Sequence, residues 1–270
     1  MLSDILAQHA ISVTGLSKSL HGCKVLDDIS FSANEGEVIA VLGHNGAGKS
    51  TLVKCLTGML TMDSGYIVRQ NQTMQILSPL DARKLGIEAV HQNFGLIDEL
   101  DVVSNFFLGR ELHHDNLILK MLGWLDKRLM RFLTGRALER LGCEFRDLDR
   151  LVKHLSAGER QLIAVARAIH FGAQVVVMDE PSSALGMSQM AQLQEVIRTI
   201  SAQGVTVLLV SHDMPFIREV CDRAMVLSKG RLVANINIAC TSEEELYSYM
   251  MGCGHIKEPD NSLNALLRAS

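Results

Sequence analysis

The sequence predicts an α/β chain, with a mostly parallel sheet covered by helices on both faces. Three observations carry that expectation. Short apolar, largely β-branched runs recur at Val38-Ile39-Ala40-Val41-Leu42, Val175-Val176-Val177-Met178 and Val205-Thr206-Val207-Leu208-Leu209-Val210. Helical patterns alternate with these runs, and a continuous apolar run marks a strand buried on both faces. From about residue 98 to 155 the strand signals stop, and helical spacing at Ile118, Leu122, Leu125, Leu129 and Phe132 predicts an inserted helical segment with that stripe as its packing face.

Taken in order, residues 11–42 read as short strands: Ile11-Ser12-Val13, then Val25-Leu26 through Ile29-Ser30-Phe31, with Asn34-Glu35-Gly36 as a turn. Gly43-His44-Asn45-Gly46-Ala47-Gly48-Lys49-Ser50-Thr51 follows the next strand and runs into a helix-compatible stretch, Leu52-Val53-Lys54-Cys55-Leu56. Strand, glycine-rich turn, Lys, Ser and helix is the order a phosphate-binding loop requires. The glycines let successive N–H groups approach a polyphosphate, and the new helix points its positive end at the same anion. Lys49 can reach the β- and γ-phosphates, and the Ser50 hydroxyl can ligate Mg²⁺. A ligand-free glycine turn is the alternative; the complete G-x-x-x-x-G-K-S pattern in this context favours a nucleoside triphosphate.

Gly58 is placed to end the first helix in a left-handed cap. Met62-Asp63-Ser64-Gly65 reads as a turn and Tyr66-Ile67-Val68 as a strand. Residues 78–85 read as a short helix with Pro79 in its first turn, and Gly86 to Gln92 as a strand ending in polar residues. Trp124 lies between two stripe positions and is expected to be a partly buried anchor. A further helix places Met190, Leu193, Val196, Ile197 and Ile200 on one face. The chain has no internal repeat, and residues 255–270 are polar and weakly patterned.

Asp179-Glu180 ends an apolar strand, where open α/β sheets bind ligands. Asp179 would hold Mg²⁺ and Glu180 would polarise an attacking water. Alone the pair is a weak signal, since it could simply open a turn at Pro181; beside the phosphate loop it becomes a strong one. Leu155-Ser156-Ala157-Gly158-Glu159-Arg160-Gln161 precedes a helix. Ser156 and Glu159 have capping-box spacing, and an exposed helix start with Ser and Gly also suits an anion. Spacing alone leaves both readings open.

Composition excludes several classes. A net charge of −4 over 270 residues gives no electrostatic footprint for nucleic acid. No apolar run approaches the roughly 18 residues of a membrane span. The N-terminal residues lack a signal-peptide pattern, and the 6 cysteines are scattered without a C-x-x-C pair, which suits reduced thiols.

Leu155-Ser156-Ala157-Gly158-Glu159 resembles the LSGGQ signature of ATP-binding-cassette (ABC) ATPases, and it precedes Asp179-Glu180 as in that family. Gln92 then resembles the family's Q-loop glutamine, Ser183-Ala184-Leu185-Gly186 its D-loop, and His212 in Ser211-His212-Asp213 its switch histidine. The resemblance covers about residues 10–250. It implies a P-loop NTPase (RecA-like) parallel-sheet core with an N-terminal antiparallel β subdomain and an inserted helical subdomain. The core would comprise 10–93 and 170–235, the helical subdomain 94–165, and the tail 251–270. It further implies a head-to-tail dimer, expected to be a homodimer, with two ATPs at its interface. Gly43, His44, Asn45, Gly46, Ala47, Gly48, Lys49, Ser50 and Thr51 would hold the triphosphate, and Ser156 and Gly158 of the other subunit would close on the γ-phosphate. Ser50, Gln92 and Asp179 would serve the metal, and Glu180, His212 and Gln92 the chemistry. His91 and the His113-His114 pair are expected at the surface.

Departures accompany the matches. Leu20 stands where the family usually has an aromatic residue for the adenine, Ala157 replaces a signature glycine, Glu159 the usual Gln, and Gly186 a common Asp. None removes Lys49, Asp179, Glu180 or His212, so an active ATPase is expected. Gly86-Ile87-Glu88-Ala89-Val90-His91-Gln92 and Leu100 through Glu111 resemble GI-x-x-VHQ and L-x-V-x-x-N-x-x-LGRE of bacterial simple-sugar importers, as does Gly43-His44-Asn45-Gly46-Ala47-Gly48-Lys49, with His44 in place of Glu. That class implies transmembrane permease subunits as partners, an extracytoplasmic solute-binding protein acting indirectly, and a peripheral location on the cytoplasmic face of the inner membrane. A soluble or regulatory cassette ATPase is the alternative.

Overall fold

The computed structural model describes residues 9–69, 72–90, 95–114, 123–143, 145, 147–183 and 185–251. Two sheets organise the chain. The first is antiparallel, in the order β2-β1-β4-β5, from β1 (His9–Leu20), β2 (Cys23–Asn34), β4 (Ser64–Arg69) and β5 (Gln72–Met74). The second has the order β10-β9-β3-β8-β7-β6. Its strands β3 (Val38–Leu42), β6 (Ile87–Val90), β7 (Val175–Asp179), β8 (Thr206–Val210) and β9 (Arg223–Ser228) run parallel, and β10 (Arg231–Asn237) closes the edge antiparallel to β9. This is the expected RecA-like core with an antiparallel N-terminal sheet.

The apolar runs are continuous because each strand feeds two cores. Ile39 and Val41 of β3, Val175 and Val177 of β7, and Leu208 and Val210 of β8 pack toward the antiparallel sheet and helix α1 (Lys49–Leu56). Their neighbours Val38, Ala40 and Leu42, Val176 and Met178, and Val207 and Leu209 pack into the larger core. That core also takes α3 (Val102–Phe106), α4 (Lys127–Glu139), α5 (Ala157–His170), α6 (Met187–Ala202) and α7 (Met214–Val220). The short helix α2 (Pro79–Lys84) starts at Ser78, whose hydroxyl accepts the Asp81 N–H, with Pro79 in its first turn. Gly58 has φ +72°, and a Cβ there would lie 2.2 Å from the Ser78 carbonyl oxygen, so glycine is required where α1 ends. The α6 face is as expected: Leu193, Val196, Ile197 and Ile200 are buried and Met190 packs against them.

Three features differ from the sequence reading. β1 and β2 are 12 residues each, paired from His9–Asn34 to Leu20–Cys23. Their register shifts break the alternation from which a long strand is recognised. The β9–β10 hairpin, α7 and α8 (Glu243–Met250) went unread. Its turn, Lys229 at φ +48° and Gly230 at φ +78°, is the kind that joins two antiparallel strands.

The third difference is a correction. Phe132 and Leu129 are 60% and 43% exposed, and Trp124, expected as a partly buried anchor, is 60% exposed. Helix α4 begins only at Lys127, after the Asp126 cap, so Leu125 lies before it in an isolated bridge with His113. The expected stripe therefore crosses a helix start. The buried face is Met130, Thr134, Ala137 and Leu138 instead. Ile118 and Leu122 lie outside the described residues.

Candidate nucleotide site

The strand order puts the C-terminal ends of β3, β8 and β7 side by side, so the turns that follow them meet. The loop after β3 is shaped by its glycines. Gly43 has φ +144°, and a Cβ there would stand 2.3 Å from the Leu227 carbonyl oxygen; Gly48 has φ +109°, with Leu26 Cδ2 at 2.8 Å from the same hypothetical atom. Gly46, at φ +83°, faces open space. Buried Ala47 donates its N–H to the His44 carbonyl at 3.0 Å and accepts from the Gly230 N–H at 3.1 Å, fixing the loop to the β9–β10 turn.

A cavity of about 350 Å³ opens above this loop. His44, Asn45, Gly46, Gly48, Lys49, Ser50 and Thr51 line it, with Asp179 and Glu180 opposite and Val25 and Val210 at the side. Val25 was not singled out from sequence, and half-buried Leu20 at the β1 end is not among the lining residues. Gly43 and Ala47 shape the loop without lining the cavity. Lys49 Nζ donates to the carbonyl oxygens of Gly43 at 2.6 Å and His44 at 3.2 Å, so it is tied to its own loop. Burial holds the Lys49 ammonium below the usual lysine range, against the raising pull of Glu180 and Asp179.

Asp179 ends β7. Glu180 follows with φ +50°, its N–H donating to the Val210 carbonyl at 2.8 Å and its own carbonyl accepting from Ser183 Oγ at 3.0 Å. Its Oε1 lies 2.8 Å from Nδ1 of His212, whose side chain is 74% exposed. The structure thus brings together the loop, both carboxylates and His212. Gln92 lies outside the described residues.

Ser156 and Gly158 do not line this cavity. Ser156 caps α5: its Oγ accepts the Glu159 N–H at 3.2 Å, and Glu159 Oε2 accepts the Ser156 N–H at 2.7 Å. The capping-box reading holds, and Glu159 is engaged in it. Ala157 is not among the residues with positive φ, so glycine is not needed there. Gly186 caps α6 at φ −77°. Glycine at 158 has a packing reason, since a Cβ would meet the Gln189 side chain at 3.0 Å.

The donors fit a hard divalent cation in a limited way. Among the described residues no three His, Cys, Asp or Glu side chains cluster as a cage. The Ser50 hydroxyl and Asp179 carboxylate line the same cavity, a sparse oxygen set that suits Mg²⁺ held largely by phosphates and water.

A second cavity, of about 330 Å³, lies between the β6 side of the core and the helices. Glu88 on β6 accepts from Arg110 Nη2 at 2.8 Å and pairs with Arg83 Nε at 3.4 Å. The Arg110 guanidinium also sits 4.4 Å over the Phe171 ring. Met59 and Leu108 line the cavity and stay exposed. From sequence Glu88, Leu108 and Arg110 stood out only within a resemblance, and Met59, Arg83 and Phe171 were not singled out; no local pattern joins residues this distant in the chain.

Three comparisons bear on the site. A family model described as ABC transporter matches residues 26–183. The chain is 37% identical over 256 residues to the fructose import ATP-binding protein of Rhizobium meliloti, covering 94% of this chain and 97% of that protein. It is 36% identical over 249 residues to the xylose/arabinose import ATP-binding protein of Sulfolobus acidocaldarius, covering 92% and 94%. Against the ribose import ATP-binding protein of Caldanaerobacter subterraneus it is 36% identical over 242 residues, 90% of this chain but 47% of that one. Among solved structures, cbiO1 from Clostridium perfringens, part of an ABC transporter complex, superimposes with a TM-score of 0.72 at 25% identity, covering 90% of this chain and 93% of that one.

Proposed function

Because this chain belongs to the ABC transporter ATP-binding family, and is an ABC ATPase homologous to sugar-import subunits, we propose that it drives a bacterial importer for a monosaccharide or related small polar solute. One observation carries the catalytic part. The phosphate loop, Asp179 and Glu180 line a single cavity, as in-line attack on a γ-phosphate requires. Sugar as the cargo rests on the importers that the chain matches nearly end to end.

In this reading Lys49 exchanges the carbonyls of Gly43 and His44 for β- and γ-phosphate oxygens when ATP enters. Loop N–H groups and the α1 N-terminus stabilise the same charge. Ser50, Gln92 and Asp179 would hold Mg²⁺, which supplies charge neutralisation on the phosphates when bound. Glu180 accepts the proton of the attacking water, and His212 turns from Glu180 toward the γ-phosphate. Ser156 and Gly158, away from this chain's own cavity, complete the site of a second, head-to-tail copy. Closure of that dimer then favours one of two permease states.

The cavity beside Glu88 is the proposed seat of a short permease helix, between the core and a helical unit at 94–165. The chain would sit peripherally on the cytoplasmic face of the inner membrane, with a solute-binding protein acting through the permease. The test is ATP hydrolysis by purified chain and by Glu180→Gln, with size-exclusion chromatography with and without Mg·ATP, followed by sugar uptake into vesicles carrying the cognate permease. Hydrolysis lost in the variant, an ATP-stabilised dimer and ATP-dependent uptake are expected. Binding without hydrolysis or dimerisation overturns the catalytic reading; hydrolysis with no uptake of any sugar overturns the cargo.

A further inference from the structure

Helix α4 turns toward solvent Leu129 and Phe132, which the spacing assigned to packing, and the segment just before it leaves Trp124 exposed as well. Trp124 and Phe132 are exposed, with Leu129 beside them. A fraying end does not explain this. The Trp124 carbonyl accepts the His114 N–H at 3.2 Å, the Asp126 N–H donates to the Leu112 carbonyl at 2.7 Å, and the Asp126 carboxylate accepts the Leu129 N–H at 2.9 Å. The opposite face is locked into the core by Met130, Ala137 and Leu138.

The same outer face is basic. Lys127, Arg128, Arg131, Arg136 and Arg140 are all exposed, and Glu139 is the only acidic residue within the helix. Arg131 pairs with Asp149, whereas Lys127, Arg128 and Arg136 form no ion pair among the described residues. Arg128, Phe132 and Arg136 follow one another in steps of four on the helix, so a ring lies between two guanidinium groups on one ridge, and exposed Trp124 lies three residues before the helix start. This lies on a chain whose net charge is −4. Neither cavity described above involves the ridge.

We propose that this ridge docks on the surface of an anionic lipid bilayer, with Trp124 and Phe132 at the headgroup–acyl boundary and the flanking cations on lipid phosphates. Indole and phenyl rings beside Lys and Arg form the pattern that interfacial helices use. The charge is complementary to anionic headgroups, and a convex ridge suits a plane better than it suits an acidic peptide, which would need a groove. Each cation near such a surface strengthens partitioning about fivefold, and salt screens the effect. The inference goes beyond the catalytic reading and does not depend on it.

Trp124 is the chain's only tryptophan, so its emission reports the contact directly. The full chain is titrated with phosphatidylcholine vesicles with and without phosphatidylglycerol, and emission and co-sedimentation are followed. The expected result is a blue shift and sedimentation with the anionic vesicles, both reversed by salt. The double variant Arg128→Glu with Arg136→Glu partitions at least about 25-fold less, from two lost cations, with unchanged ATP hydrolysis and melting. Phe132→Ser weakens partitioning by a smaller factor. Equal binding to neutral and anionic vesicles, wild-type partitioning by the double variant, or a Trp124 shift produced by protein concentration alone (a second copy or a protein partner) overturns the proposal.

Discussion

Nδ1 of His212 and Oε1 of Glu180 lie 2.8 Å apart across the ends of two adjacent strands, with Glu180 held at φ +50°. The Glu180 N–H bond to Val210 fixes that backbone, and Glu180 lines the cavity whereas His212 meets it from outside the lining. The ring is mostly exposed while the carboxylate is mostly covered. In the proposed mechanism the carboxylate is the base, and the ring leaves it for the γ-phosphate when ATP is bound.

Glu180→Gln is expected to slow hydrolysis by about 10²- to 10⁴-fold, the usual worth of a positioned base, while nucleotide binding persists. Steady-state turnover and a fluorescent-nucleotide titration check this. The positive φ adds a second, independent expectation. Glu180→Gly and Glu180→Ala are both inactive, but the glycine variant is more stable by about 1 kcal/mol, because only the alanine keeps a Cβ in a left-handed conformation. Denaturant melts of the two variants decide it.

Gly43→Ala is expected to cost about 3 kcal/mol and to abolish nucleotide binding, since the new Cβ meets the Leu227 carbonyl at 2.3 Å in a conformation that L-residues avoid. Gly46→Ala, with open space around it, costs only about 1 kcal/mol of backbone strain. If the two variants melt alike, contact with β9 is not what makes glycine necessary at 43.

Much of this site was legible because its parts are local. A strand, a glycine turn and Lys49-Ser50 are consecutive in the chain, as are Val175 to Glu180, and Ser156 forms a cap with Glu159 only three residues on. What the sequence hid is set by tertiary pairing. Glu180 meets His212, 32 residues away, and was joined to it only through a family pattern. The charge cluster at Glu88, Arg83 and Arg110 has no local signature. β1 and β2 were seen as fragments because bulges shift their pairing. Helix α4 was misphased because the Asp126 cap lies inside the apparent stripe. Periodicity reads a face correctly only when the helix spans the whole pattern.

His170 supplies a pH expectation. Its ring packs edge-on against Phe106, Phe107 and Phe171. Burial, and secondarily the Arg140 charge, holds its pKa below the ordinary 6.5. The unfolded chain therefore binds more protons than the folded one in the window below 6.5, and stability falls as pH drops through it. The contribution is fully present above 6.5 and is lost by the time pH has passed the folded value. His170→Phe should flatten this part of the acid limb in melting curves taken across the window. An unchanged slope means that other groups set it.

The cavity beside β6 makes a prediction that separates docking from catalysis. Arg110 bonds Glu88 at 2.8 Å and covers the Phe171 ring at 4.4 Å, so Arg110→Ala removes a charge-assisted bond and a cation–π contact together. Loss of about 2 kcal/mol in folding stability is expected, because Glu88 is left mostly covered, with the longer Arg83 contact at 3.4 Å in place of the Arg110 bond. Met59 lines the same cavity while 55% exposed, and its side chain makes no hydrogen bond or ion pair among the described residues. Met59→Lys should therefore change stability by less than about 0.5 kcal/mol and leave hydrolysis by the isolated chain intact. The added cation would stand beside Arg83 and Arg110 in the space proposed for the permease helix, so co-purification with the permease and ATP-driven uptake should both be lost. Uptake that survives Met59→Lys, with hydrolysis unchanged, places the coupling contact elsewhere on the chain.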